Sequence, residues 1–246
     1  MFWLEFIILI ACIFIGARIG GLGLGVMGGV GIAIFVFIFG LQPASAPIDV
    51  MLMIFAVITA AGALQAAGGM EYLVYLAEKA LRKNPKWITF IAPMVTYAFT
   101  FCAGTGHVAY SVLPVIAEVS RESGVRPERP LSIAVIASQQ AITASPISAA
   151  TVALLALLAD FDITLLDILM ISIPSTFLGC MIAAFAVSRK GEELSEDPEY
   201  LKRLEEGLEP IKKDRKEFNA STGSKLSVVL FLLATVSVVL LGSFEG

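Results

Sequence analysis

The sequence predicts an all-α polytopic membrane protein that contains a re-entrant helical hairpin and a broken helix. Three observations carry this. Hydrophobic residues make up 57% of the 246-residue chain and charged residues only 15%, against ~25% charge in a soluble domain. The apolar residues fall in long charge-free runs separated by basic loops. One such run, Trp87 to Ala117, has basic residues on both flanks: Arg82, Lys83 and Lys86 before it, Arg121, Arg126 and Arg129 after it. Lys and Arg in short loops favour the cytoplasmic side, so both ends of the run belong on one face. A single crossing uses ~20 residues, too few for this run. It therefore enters, turns and leaves on its own side.

Taken in order, residues 2–17 form a short first span whose cytoplasmic end is Arg18. They lack a basic leading region and a small-residue cleavage pattern, and carry Glu5, so they read as a retained span rather than a signal peptide. Residues 19–48 hold no charge and give a second span that exits near Gln42-Pro43 into an outer loop, 42–47, with turn chemistry and no Lys or Arg. Val50 to Met70 returns as a third span. Glu71 to Lys83 reads as an amphipathic surface helix with Tyr72, Leu73, Leu76 and Ala80 on one side. After the hairpin, residues 130–159 are again charge-free. Asp160 and Asp162 flank an outer turn, and 163–188 come back to Arg189 and Lys190. The polar stretch 190–224 reads as a cytoplasmic connector, partly helical between Pro198 and Lys216, and Leu226 to Leu241 begins a last span. This threading puts all seventeen Lys and Arg on the inner side. It also makes the number of crossings odd, so a duplicated copy would insert upside down. That arithmetic gives one half of an inverted-repeat secondary transporter, and the chain reads as a fragment that ends one helix into a second repeat.

The hairpin tip, Cys102-Ala103-Gly104-Thr105-Gly106-His107, is where a helix breaks and polar groups cluster. Irregular backbone at membrane depth is tolerated only where protein or an aqueous cavity surrounds it. A second break lies at Pro146, which lacks an amide hydrogen and clashes with the preceding turn. Around it sit Ser138, Gln139, Gln140, Thr143, Ser145 and Ser148, uncharged hydrogen-bonding side chains. Alone this could be a proline kink satisfied by its neighbours. Paired with the tip, it reads as a solute site, because discontinuous helices mark such sites. Half-helices starting after Gly106 and after Pro146 would aim amides and positive dipole ends at an anion. The candidate substrate-binding residues are Gly104, Thr105, Gly106, His107, Ser138, Gln139, Thr143, Ser145, Pro146 and Ser148. His107, the only histidine, could donate to a carboxylate or titrate with a transported proton.

Other signals point to bland roles. The glycines Gly21, Gly25 and Gly29 recur every four residues and read as a helix-packing face rather than a nucleotide loop. Glu71 and Glu118 sit beside basic loops and read as interfacial, with Trp87 and Tyr72 as interface anchors. Cys12, Cys102 and Cys180 lie in apolar stretches at no ligand spacing, so neither a disulfide framework nor a metal site is expected. The basic clusters are small and explained by topology, so no nucleic-acid partner is expected. A membrane-embedded enzyme would need a nucleophile–base pair, and one histidine without a nearby acidic partner argues against it.

The segments Phe101-Cys102-Ala103-Gly104-Thr105-Gly106-His107, Leu113-Pro114-Val115-Ile116-Ala117-Glu118-Val119, Arg129-Pro130-Leu131-Ser132-Ile133-Ala134-Val135, Ala137-Ser138-Gln139 and Ala141-Ile142-Thr143-Ala144-Ser145-Pro146-Ile147-Ser148-Ala149-Ala150 resemble the anaerobic C4-dicarboxylate transporter (Dcu) family. Gly16-Ala17-Arg18-Ile19-Gly20-Gly21 and Gln65-Ala66-Ala67-Gly68-Gly69 fit it too. The resemblance covers residues 1–210. It implies antiport of fumarate, succinate, malate or aspartate across a bacterial inner membrane, with a periplasmic N-terminus and the connector 189–224 in the cytoplasm. No cofactor is implied, and coupling by exchange, H+ or Na+ stays open. The more distant similarity is to the ion-transporter superfamily, with a scaffold and a moving transport domain. On that pattern residues 1–85 are scaffold-type helices plus the surface helix, 86–188 the transport-type region, 189–224 the connector, and 225–246 the first helix of a truncated second repeat. The expected partners are the lipid bilayer and a missing second half or a homo-oligomeric copy. A carrier of another small anion or cation in that superfamily, or a non-transporting sensor partner, are the alternatives.

The threading is checked by thiol labelling. Cysteines replacing Ala46 and Phe161 should react with an impermeant reagent applied outside, and cysteines replacing Asn84 and Ser123 should not. Labelling of the last two from opposite sides would make the hairpin a spanning helix.

Overall fold

The computed structural model describes residues 2–42, 48–158, 161, 163–207 and 221–242. The expected loop 43–47, Asp160 and Asp162, the connector from 208 to 220 and the last residues, 243–246, lie outside the described residues. The helices are α1 (Phe2–Ile19), α2 (Gly23–Phe37), α3 (Ile48–Ala66), α4 (Gly69–Lys83), α5 (Ile88–Ala103), α6 (His107–Tyr110), α7 (Leu113–Glu122), α8 (Glu128–Ala144), α9 (Ala149–Leu157), α10 (Leu165–Ser188), α11 (Pro198–Glu205) and α12 (Thr222–Gly242). Among the described residues four segments are long and apolar enough to cross a membrane: Phe2–Ile19, Pro85–Ala103, Glu128–Leu157 and Leu165–Ser188. The chain is a multi-pass membrane protein. It divides into two compact units, Met1–Pro47 and Ile48–Gly246.

In the first unit α1 and α2 form an antiparallel pair. Gly20 and Gly21 make the turn at φ 72° and 52°, a left-handed conformation that only glycine adopts cheaply. The helices then touch backbone to backbone: a Cβ on Gly16 would lie 2.9 Å from the Leu24 Cα, and one on Gly23 2.8 Å from the Gly16 carbonyl. Farther along, Gly31 faces the Cys12 side chain. The close-packing glycines are therefore Gly16 and Gly23. Gly25 and Gly29, expected on the packing face, have open space where a Cβ would sit, and Gly21 belongs to the turn. The second span is also shorter than expected. With 15 residues α2 is about 22 Å long, because the turn glycines precede it and Gly40, at φ 67°, follows it.

The second unit is built around the hairpin. α3 ends at Ala66, Gly68 takes φ 74° and ψ 17° at the start of α4, and the chain bends by 74° between the two helices. On α4, Tyr72 and Leu73 pack with Leu64, Ile147, Val228 and Phe231, while Ala77 and Leu81 are buried with Ile88, Val112, Ile116 and Val119. Leu76 and Ala80, expected on the apolar side with Tyr72 and Leu73, are exposed rather than packed on protein. α4 packs on two neighbours, the hairpin and α12.

A 3₁₀ turn, Pro85–Trp87, leads into α5. The chain reverses at Gly104–Gly106, and α6 and α7 carry it back until α7 touches the 3₁₀ turn. Arg82 at the end of α4 closes the base of this hairpin, bonding Glu78 at 2.7 Å, Glu118 at 2.8 Å, and Glu122. Both ends of the uncharged run thus lie together, as the flanking charges predict. α8 runs beside α5 in the same direction, with the buried Thr96 hydroxyl donating to the Ala134 carbonyl at 2.8 Å. α10 returns along both, its Thr176 hydroxyl 2.8 Å from that of Tyr97.

At the basic end the start of the connector is docked. Arg129, only 8% exposed, donates to the Lys190 and Gly191 carbonyls at 2.6 and 2.7 Å and to Glu193 at 2.6 Å. Arg126 pairs with Asp197 at 3.0 Å. Asp197 also caps α11 by accepting from the Glu199 and Tyr200 amides. The Tyr200 amide foremost, with the Glu199 amide and the Arg126 guanidinium, holds the Asp197 carboxyl below its ordinary range. A lowered carboxyl pKa stabilises the fold above the unfolded value of ~4 and loses that contribution as pH falls through the lowered value. Melting midpoints of the protein and its Asp197→Asn variant in detergent should therefore differ at pH 7 and converge below about pH 4. A gap that persists at lower pH would show that Asp197 acts without its charge.

Candidate solute site at the hairpin tip and helix break

α5 ends because Gly104 turns left-handed, at φ 69° and ψ 4°, leaving the carbonyls of its last turn without helical partners. α8 ends at Ala144, where Ser145 is extended at ψ 128°. The Ser145 side chain is 0% exposed, and its hydroxyl donates to the Phe101 carbonyl at 2.6 Å. One break thus satisfies the other. Two glycines let the elements meet: a Cβ on Gly104 would lie 2.9 Å from the Ile147 carbonyl, and one on Gly106 2.6 Å from the Gln139 Nε2. Pro146 is fully buried.

The remaining candidate side chains divide. Ser148 is buried; its hydroxyl donates to Thr151 Oγ1 at 2.9 Å and accepts from the Thr151 amide at 3.1 Å, capping α9. Ser138 is buried and donates to the Val135 carbonyl at 2.8 Å. Ser138, Ser145 and Ser148 therefore have their protons engaged by protein acceptors. Gln139 and Thr143 are exposed, Gly104 and Thr105 half-buried. Thr143 donates to the Gln140 carbonyl within its own helix. His107 opens α6, and its side chain lies outside the described residues. The half-helix expected after Gly106 is only one turn, His107–Tyr110, since the chain breaks again before α7; the half-helix after Pro146, α9, runs nine residues.

Beside the junction lies a cavity of about 570 Å³. Gly104 and Thr105 of the tip, Val108 and Ser111 of the returning limb, and Ile147 and Ala149 of the break form one side. α3 forms the other with Ile54, Ile58, Ala61, Gly62 and Gln65. The wall is largely apolar, with a few polar groups and the N-terminal turn of α9 set into it, where first-turn amides and the dipole favour negative charge. The α3 contribution was missed from composition and spacing because α3 looks like any lipid-facing span; Gln65, a polar side chain near its end, is the one signal that could have found it.

A hairpin and a broken helix that meet beside a cavity are the kind of arrangement in which secondary transporters hold their solutes. The chain belongs to the anaerobic C4-dicarboxylate membrane transporter family, which it matches along residues 1–246. It is 50% identical over 235 residues to the C4-dicarboxylate transporter DcuA of Wolinella succinogenes, covering 96% of this chain and 54% of that protein. It is 48% identical over 241 residues to DcuA of Escherichia coli, covering 98% of this chain and 55% of that one. Over 207 residues it is 44% identical to the anaerobic C4-dicarboxylate transporter DcuB of Escherichia coli, covering 82% of this chain and 46% of that protein. The chain spans about half the length of these relatives. No solved structure matches it.

The junction is tested by stability. Ser145→Ala removes the hydroxyl that donates to the part-buried Phe101 carbonyl and should cost about 1 kcal/mol. Thr143→Ala removes an exposed bond within one helix turn and should change stability by less than about 0.5 kcal/mol. Equal melting shifts in detergent for the two variants would remove the tie between tip and break.

Proposed function

We propose that this chain is part of a carrier that exchanges C4-dicarboxylates, fumarate, succinate, malate or aspartate, across the bacterial inner membrane, and that the tip and the break hold the carboxylates. The observation that carries the proposal is the junction of two interrupted helices beside the 570 Å³ cavity, in a chain whose relatives are named as C4-dicarboxylate transporters. The donor set suits a substrate that must leave as well as arrive. Uncharged groups and helix-end dipoles attract a carboxylate without the deep well of a buried guanidinium.

The residues take different roles in this proposal. Ser138, Ser145, Pro146 and Ser148 shape the break and keep its backbone satisfied. Gly104, Gly106 and Thr105, with the first turn of α9, meet the substrate. Gln139 and Thr143 offer amide and hydroxyl groups from the exposed side of α8. His107 donates to a carboxylate or carries a coupled proton. The whole carrier draws its site from this half and from a second half or a neighbouring copy, with the N-terminus outside and the connector inside.

The test is uptake of radiolabelled succinate by proteoliposomes containing the protein from its complete reading frame. Internal fumarate should accelerate uptake, and external malate or aspartate should compete where citrate does not. Uptake indifferent to internal dicarboxylate would exclude exchange. Thr105→Ala should raise the half-saturating succinate concentration about tenfold or more, the ~1.5–3 kcal/mol of a hydrogen bond to a charged group. His107→Gln should abolish the pH dependence of net uptake between about 5.5 and 7.5, the range of an ordinary imidazole. A retained pH profile would remove His107 from coupling.

A further inference from the structure

The outer face of α8 is polar where a lipid-facing helix is apolar. Six of its residues are exposed: Glu128, Ser132, Ile136, Gln139, Gln140 and Thr143. Of these only Ile136 lacks a polar side chain. The spacing of three and four places them on one stripe, opposite the buried face of Ile133, Ala134, Ala137 and Ala141. α10, packed alongside, shows what a lipid face looks like in this protein: its exposed residues include Leu166, Met170, Ile171, Leu178, Ile182 and Phe185. Yet where α10 borders the stripe it too turns polar and small. A groove of about 410 Å³ between them is lined by Ile136, Gln140, Ser175, Thr176, Gly179 and Cys180. One turn from Thr176, the Ser172 hydroxyl is buried without a hydrogen-bond partner among the described residues.

The Ser132, Thr143, Ser175 and Thr176 hydroxyls donate to carbonyls of their own helices, but lipid cannot satisfy the Gln139 and Gln140 amides, so protein or water must. The direction of the stripe decides between them. It begins at Glu128, beside the docked Arg126 and Arg129, and ends at Thr143, just before the break. Between them Gln139 rests on Gly106 at the hairpin tip. The stripe thus connects the basic surface to both interrupted helices. We infer that the α8 stripe and its groove against α10 form one wall of a water-filled path, along which a small carboxylate passes between the basic face of the protein and the tip. Its amides and hydroxyls carry the solute past the helix without a charged side chain between Arg129 and the break. The inference rests on the reading of the tip and break as the solute site.

Cysteine accessibility tests it in membrane vesicles of the protein from its complete reading frame, in a background carrying Cys12→Ala, Cys102→Ala and Cys180→Ala. Ser132→Cys, Ile136→Cys, Gln140→Cys and Thr143→Cys are compared with Ile171→Cys and Ile182→Cys on the apolar face of α10. A charged, water-soluble thiosulfonate is supplied to both sides. Thiolate forms only where water reaches, and one unit of thiol pKa is one decade in thiolate, so the stripe should react at least about tenfold faster than the controls. Ser132→Cys and Thr143→Cys change almost no volume and keep the comparison open should the larger replacements not fold. Rates equal to the controls would place the stripe in lipid. Stripe residues slower than the controls would show a protein face covering it. Either result overturns the path. Excess succinate should slow modification of Thr143→Cys and Gln140→Cys. Fast modification unaffected by succinate would leave the path standing and sink the dicarboxylate reading instead.

Discussion

The hydrogen bond from Ser145 to the Phe101 carbonyl is the contact on which the site depends. A helix interrupted inside a membrane leaves carbonyls that neither lipid nor its own backbone can satisfy. Here the chain interrupts two helices side by side and lets the side chain at one break answer the backbone at the other. Gly104 and Gly106 supply the missing volume, since a side chain at either would meet Ile147 or Gln139. The same economy appears at Ser148, which caps α9 while its hydroxyl reaches Thr151, and at Thr151, whose hydroxyl returns to the Thr143 carbonyl at 3.2 Å. The two breaks are therefore tied to one another by neutral hydrogen bonds, and the cavity lies beside them.

This arrangement explains which parts of the molecule were legible in the sequence. Charge bias is a one-dimensional signal, and the basic residues on both sides of 87–117 reported the hairpin directly. Pro146 and the glycines at 104 and 106 are equally local, because each removes a backbone option at its own position. What the hydroxyls do is not local. Ser138, Ser145 and Ser148 looked alike as candidate donors, and only packing shows all three protons engaged by protein acceptors. Helix faces were misread for the same reason. Gly25 and Gly29 form a regular small-residue pattern, yet α1 approaches α2 at Gly16 and Gly23, where the turn sets the register. On α4 the apolar side is local in the sequence, whereas which of its residues pack on protein depends on which neighbours arrive.

The two ends of the hairpin contrast in chemistry. At its base Arg82 gathers three glutamates and Arg129 is almost wholly enclosed by connector carbonyls and Glu193. Residues that orient the chain by their charge thus also fasten the helix ends to one another. At the tip no such charges are present, and the geometry is held by glycine clearances and neutral hydrogen bonds. Strong ionic ties thus hold the base of the hairpin, and weak neutral ones hold its tip.

The corner at Gly68 bears on how the protein is made. Gly69 has no room for a side chain because Leu64 and Ser227 crowd it, and the cluster around Leu64 is completed by Val228 and Phe231 of α12. The corner forms early in the chain and its cover is synthesised more than 150 residues later. At ~5–20 residues per second of synthesis, that is a wait of about 10–30 s. Throughout it, α3 and α4 must sit in the bilayer without the part of their cover that α12 supplies. Closing so long a loop is also the slowest kind of contact to form. The bend that shapes one wall of the cavity is therefore among the last features to be secured, and the site matures only after the chain has passed well beyond it.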